Sequence, residues 1–274
     1  MQFILDLKKS RYSCIVKINL HYNVEGSGEP IVFIHGLSDS LLFWEPLASS
    51  LKNDYQVIRM DLRGHGESEL GSEEITIGLH VNDLIGLLDD LNVGNVNLVG
   101  FSLGSLVALD FALKFPGRVS SLVMMSGFAK VDEHLLDVFA KFKSTLNAGF
   151  EEFYDFILPM VLCPDVIADN REELEFLKGI ASRSANTQAY INAVDACMEF
   201  DCEDKLSELE MPALVLVGRY DEITPLDLQR DLQQKIKNSD IVIIDNVKHN
   251  LLVGENNIKI LEILKDFYKK RKEE

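Results

Sequence analysis

The chain has 274 residues, 47% hydrophobic and 26% charged, which is enough apolar material for a sizeable core and too much for a disordered chain. Lys and Arg number 27 against 44 Asp and Glu, a formal net charge of −17. Such an excess repels phosphate backbones and anionic lipid surfaces and so argues against nucleic-acid and polybasic membrane roles.

In chain order, the first thirty residues read as two strands and a turn, with 13–22 rich in strand formers and 23–30 a turn cluster. Short apolar runs follow, each ending in a special residue: 31–34 before His35-Gly36, 56–60 before Asp61, 96–99 before Gly100, 122–125 before Ser126-Gly127, 213–217 before Gly218 and 241–244 before Asp245. Strands without polar alternation are buried on both faces, which points to a parallel sheet covered by helices. Helical patterns occupy the intervals at 76–91, 102–115, 225–236 and 257–268, with Thr224 as cap and Pro225 as first residue of the third. Between Phe128 and Lys205 no strand is convincing, and helices are expected at 133–146, 150–158, 171–182 and 188–200. The expected fold is α/β, a mostly parallel, doubly wound sheet with a helical cap over one edge. The expected division is a core of 1–127 and 206–274 and a cap of 128–205.

No apolar run reaches the roughly eighteen residues of a membrane span. The opening MQFILDLKKS puts its charges after a very short apolar run, the reverse of a secretory leader. Cys14, Cys163, Cys197 and Cys202 form no CxxC pair and read as reduced thiols of a cytoplasmic protein.

The strongest chemical signal is Gly100-Phe101-Ser102-Leu103-Gly104, between an apolar strand and a helix. A nucleophile on a sharp strand-to-helix turn needs small neighbours two residues away on either side, and Gly100 and Gly104 supply them. The helix that follows aims its amides and positive dipole end at the reacting centre. A serine hydroxyl is a poor nucleophile at neutral pH and needs a base oriented by a carboxylate. Of the six histidines, His249 lies in a loop after the last apolar strand and is preferred to His65. His21 and His134 read as structural or solvated, His35 as a packed turn residue, and His80 as the polar edge of a helix. Asp221 follows the strand that ends at Gly218 and is the expected carboxylate, with Asp132 and Glu133 as fallbacks and Glu222 pointing elsewhere. Two backbone amides must face the developing oxyanion. Leu103 offers one, and Leu37, after His35-Gly36, the other.

These features together resemble the α/β-hydrolase fold superfamily, in its capped, esterase-like serine hydrolase branch. The resemblance covers essentially the whole chain: His35-Gly36, the Asp61–Ser68 loop (D-L-R-G-H-G-E-S), the elbow at Gly100–Gly104, the acid loop at Asp221 and the histidine loop at His249. It implies a cap inserted after the sixth strand, a Ser102-His249-Asp221 triad, and a structural role for Arg63 and His65. Two positions depart from the family pattern, Lys248 where a glycine often precedes the histidine, and Ser105 where a second glycine often follows the elbow. A serine at 102 disfavours the branches that use a carboxylate nucleophile.

The expected activity is hydrolysis of a small or medium apolar carboxylic ester. Lactonase, thioesterase and carbon–carbon bond hydrolase chemistry would use the same residues, and a non-catalytic small-molecule receptor is the reading from another class. No metal or organic cofactor is implied, and Glu151-Glu152 and Glu172-Glu173 read as solvated helix faces. Residues 128–205 hold 8 of the 15 phenylalanines, enough for a small cap core and for part of an apolar pocket walled on the core side by Leu37, Phe101, Leu103 and Phe128. The same stretch holds 16 acidic and 7 basic residues, more than half of the negative excess.

Overall fold

The computed structural model describes residues 17–273. Among the described residues seven strands form one sheet: β1 (Tyr22–Glu25), β2 (Glu29–Ile34), β3 (Tyr55–Met60), β4 (Val96–Phe101), β5 (Val119–Met125), β6 (Ala213–Gly218) and β7 (Ser239–Ile244). Their order is β1-β3-β2-β4-β5-β6-β7, and every neighbouring pair is parallel except β1 with β3. The helices are α1 (Glu45–Leu51), α2 (Ile77–Asp90), α3 (Leu103–Lys114), α4 (Glu133–Ala148), α5 (Phe150–Val161), α6 (Pro164–Asp169), α7 (Arg171–Ser184), α8 (Thr187–Met198), α9 (Leu226–Lys235) and α10 (Asn256–Glu273).

Alternate side chains of the central strands go to opposite faces, and both faces are apolar. Val32 and Ile34 join Leu98, Leu122 and Met124 in one core with α2, α3 and the helices of 133–198. Ile31 and Phe33 join Val99, Val123 and Met125 in a second core with Trp44, α1 and α10. The continuous apolar runs of the sequence follow from this double burial. Each parallel crossover needs a helix, which explains the alternation of elements. The chain leaves β2 outward to β3 and returns to β4 on the other side of β2. That reversal opens a crevice at the carboxyl ends of β2 and β4, where ligands of open α/β sheets bind.

Some elements differ from expectation. Residues 13–16 of the first expected strand lie outside the described residues, and the observed strand begins only at Tyr22, its last expected residue, and runs on to Glu25 through the start of the expected turn. Pairing with β3, from Tyr22↔Met60 to Glu25↔Val57, holds this short edge extended, and Gly26 and Gly28 at φ 74° and 114° make the turn. Counted over the described residues, the helical insertion follows β5, the fifth strand. Helices α1 and α6 were not legible in the sequence, being only 7 and 6 residues long with a proline in the first two positions. The two ends of the insertion are tied together by a Lys130↔Asp201 bridge and by the Cys202 amide donating to Ala129 O at 2.9 Å. No helix of the described residues is long and apolar enough to cross a membrane.

The Asp61–Ser68 loop packs beneath the crevice. Arg63 is fully buried and donates to Asp83 at 2.7 and 2.9 Å and to Glu73 at 3.0 Å. His80 is also fully buried, not at a polar edge as its helical pattern suggested, because α2 is sandwiched between α3 and the insertion. Neither of its ring nitrogens has a hydrogen-bond partner among the described residues. Burial, reinforced by Arg63, depresses His80 to about 3. The unfolded chain therefore binds the proton more readily than the fold, and stability falls as pH drops from about 6.5 toward 3, by up to ~1.4 kcal/mol per pH unit for one excluded proton. In His80→Leu, urea denaturation as a function of pH should give a shallower acid slope than in the wild type.

Candidate active site

The turn from β4 into α3 places Ser102 at φ 50° and ψ −117°, a strained conformation for a residue with a side chain. The Ser102 amide donates to Met125 O at 2.8 Å and its carbonyl accepts from the Ser105 amide at 2.8 Å, which pins the turn to β5. Space is the other requirement. A Cβ on Gly104 would collide with the carbonyl oxygens of Ile34 and His35, and one on Gly100 with the carbonyl of Gly104. Ser105, the first departure from the family pattern, fits because Gly127 faces it without a side chain. Its hydroxyl lies 2.7 Å from Gly100 O and 3.0 Å from Met125 O, and accepts from the Met125 amide at 3.1 Å.

Asp221 and His249 come from the loops after β6 and β7. These loops meet because Gly218 lets Lys248 O approach where any Cβ would clash. The Tyr220 amide donates to Val247 O at 2.9 Å, and the Ser126 hydroxyl donates to His249 O at 3.0 Å. His249 Nδ1 lies 3.0 and 2.9 Å from the two oxygens of the buried Asp221 carboxyl. Asp221 has no N–H to give, so Nδ1 carries the proton and Nε2 keeps its lone pair. Three further donors fix the carboxylate: the amides of Ile223 and Thr224 and the Thr224 hydroxyl, each at 2.9 Å. Thr224, expected to cap α9, therefore serves Asp221 instead, and Pro225, expected as the first helical residue, stands at the cap position. No periodicity signals this role; the spacing D-x-x-T is its one trace in the sequence.

Lys248, the second departure, spans two elements. Its Nζ pairs with Glu222 at 2.6 Å and donates to Pro159 O at 2.7 Å, and the Asn250 amide donates to Val161 O at 3.1 Å. The histidine loop is thereby fastened to α5. Asp132 and Glu133, the fallback acids, stand at the start of α4, where Asp132 caps the helix through the Leu135 amide at 2.8 Å. His65 is buried and held well below the ordinary imidazole range by burial and by His35. His35, itself lowered by burial, accepts from the Leu62 amide at 2.9 Å. His21 lies 2.7 Å from Asp61, and His134 bonds Glu222 O at 2.9 Å.

Ser102, His249, Leu37 and Leu103 all line one cavity of about 710 Å³. Phe101 and Phe128 line it too, and Phe101 stacks on Phe43 at 4.7 Å. Of the eight phenylalanines of 128–205, Phe139, Phe142, Phe150 and Phe153 reach the cavity beside Phe128 while packing edge-on or tilted against one another. Phe176 does neither and is 67% exposed on α7. The cavity also holds Asp39, which sequence reasoning missed. Among the described residues no group of three or more His, Cys, Asp or Glu could hold a metal ion, and Cys197 and Cys202 are buried free thiols.

The close approach at the elbow gives a stability test. Gly104→Ala should lose at least ~2 kcal/mol in urea denaturation, because backbone on both sides must shift. Gly86→Ala, in α2 with open space around it, should gain about 0.5–1 kcal/mol from helix propensity.

A family described as the alpha/beta hydrolase fold matches residues 29–158. The provisionally named carbamate hydrolase RutD of Azorhizobium caulinodans is 29% identical over 83% of this chain and 86% of its own. The 3-oxoadipate enol-lactonase 1 of Acinetobacter baylyi is 26% identical over 92% and 93%. Among solved structures, a thermophilic esterase from Thermogutta terrifontis is 26% identical, with a TM-score of 0.82 over 93% of this chain and 94% of that one. These relatives are named a carbamate hydrolase, an enol-lactonase and an esterase, and each likeness covers more than four fifths of this chain. The chain has the α/β-hydrolase fold, and the match to that family covers residues 29–158.

Proposed function

We propose that the chain is a serine hydrolase that cleaves a small or medium apolar carboxylic ester through an acyl-enzyme. The observation that carries this reading is a buried Asp221–His249 pair facing the same cavity as Ser102 in its strained turn. Ser102 Oγ attacks the carbonyl while His249 Nε2 takes its proton. The imidazolium that forms is held by Asp221, and Thr224 holds Asp221. The amides of Leu37 and Leu103 receive the oxyanion. The protonated Nε2 then gives its proton to the leaving alcohol, and water repeats the attack on the acyl-enzyme.

Residues 128–205 act as the cap over a core of 1–127 and 206–274. The paired ends of the insertion and the fastening of Asn250 and Lys248 to α5 support that division. The substrate is a small molecule, and the free thiols favour a cytoplasmic setting. A lactone is the second reading, because a relative aligned over 92% of the chain is named an enol-lactonase. Ring opening uses the same residues, the leaving alcohol staying tethered to the acyl group. A carbamate, as in the name of RutD, fits the same scheme.

Turnover of short aryl esters, lactones and carbamates, measured side by side, separates these readings. Sustained turnover opposes a receptor role. Ser102→Ala should lower kcat/KM by about 10³-fold or more, as deletions of triad members do. Because His249 must be unprotonated to act, the rate should fall on acidification. Thr224→Val, which removes one of the donors on Asp221, should lower kcat by about tenfold with little change in KM, and equal kcat values in the two proteins would contradict its positioning role.

A further inference from the structure

The loop after β2 brings a second carboxyl group to the cavity. Ser38 stands at φ 60°, and the Asp39 amide donates back to Gly36 O at 3.4 Å, so the loop folds on itself. Asp39 Oδ2 would lie 3.3 Å from a Cβ placed on Gly36, beside the backbone that presents the Leu37 amide. Asp39 lines the cavity with Ser102 and His249. Among the described residues no hydrogen-bond donor is spent on its carboxyl, in contrast to the carboxyl of Asp221.

The charges around it are one-sided. His249, from the loop after β7, and Tyr190, on α8, are close enough to interact with it electrostatically. Asp61 and Glu67 line the same cavity, and His21, also on the wall, is already engaged by Asp61. No Lys or Arg among the described residues lines it. An anionic substrate entering here meets carboxylates and no Lys or Arg among the described residues, while a cation meets an unspent carboxyl group.

We infer that Asp39 is a specificity-determining residue: the cavity accepts acyl groups that carry an ammonium group within reach of the loop after β2 and turns away those that carry a carboxylate. The inference rests on the reading of Ser102 as nucleophile. Burial raises the Asp39 carboxyl to about 7, against the pull of His249. A bound cation favours its ionised form, so the selection strengthens as pH rises through neutrality.

The experiment uses three aryl esters of matched length whose acyl chains end in trimethylammonium, tert-butyl or carboxylate. The first two have the same shape, so their ratio of kcat/KM reads charge alone. Both esters meet the same His249, so its protonation cancels from the ratio. In the wild type the trimethylammonium ester should exceed the tert-butyl ester by about tenfold at pH 8 and the carboxylate ester by more, with the preference shrinking at pH 6. In Asp39→Asn both ratios should fall toward unity and lose their pH dependence, while the tert-butyl ester is cleaved nearly as before. Unchanged ratios in the variant, or equal loss on all three esters, would overturn the inference. Turnover retained in Ser102→Ala would instead refute the nucleophile assignment. In that event, or without turnover of any ester, the shift in melting temperature given by a trimethylammonium-ended alcohol and by the matched carboxylic acid decides the matter. The cation alone should stabilise the wild type, and neither should distinguish the wild type from Asp39→Asn if the inference is wrong.

Discussion

The site depends on one backbone constraint, the left-handed turn at Ser102. Such a conformation costs roughly 1–3 kcal/mol in a residue with a side chain and persists where its surroundings over-determine it. Here those surroundings are β5, through Met125 O, and β2, whose carbonyls at Ile34 and His35 press against Gly104. The carboxyl ends of β2, β4 and β5 are thereby locked in register around the serine. The same packing sets the start of α3 against the loop that carries Leu37 and Asp39, so the elbow also positions the other wall of the crevice.

A second close approach does for His249 and Asp221 what the elbow does for the serine. Gly218 admits Lys248 O, and the two loops that carry Asp221 and His249 become one unit. Lys248 then links that unit to Glu222 and to α5. The insertion is therefore fastened to the loop that presents His249, and its phenylalanines other than Phe176 form one cluster with the sheet core. The negative charge of the chain, concentrated in 128–205, has a local counterpart. The cavity wall carries Asp39, Asp61 and Glu67 with no Lys or Arg among the described residues. A general excess that argued only against polyanionic partners becomes, at Asp39, a placed carboxyl group.

Much of the core was legible in the sequence because its signals are local. Apolar runs mark doubly buried strands, and Gly-x-Ser-x-Gly between a strand and a helix marks the elbow. Asp221 and His249 were legible by their places after two such strands. What was not legible depends on contacts far apart in the chain. His80 follows the pattern of a polar helix edge, and only the packing of α8 over α2 buries it. Thr224 reads as a helix cap until Asp221 takes its hydroxyl. Lys248 looks like a surface substitution until Pro159 and Glu222 are brought beside it. Asp39 carries no motif, since a carboxyl in a loop is ordinary until an apolar cavity closes around it. The first strand was misplaced because a four-residue edge strand has too short an alternation to stand out from a turn.

The central claim is that Ser102 is a nucleophile activated by His249. The most direct measurement is reaction with a fluorophosphonate followed by mass spectrometry of the adduct. The account predicts one adduct, on Ser102, absent in Ser102→Ala and formed far more slowly in His249→Ala. An adduct on another residue, or labelling that is indifferent to His249, would contradict it.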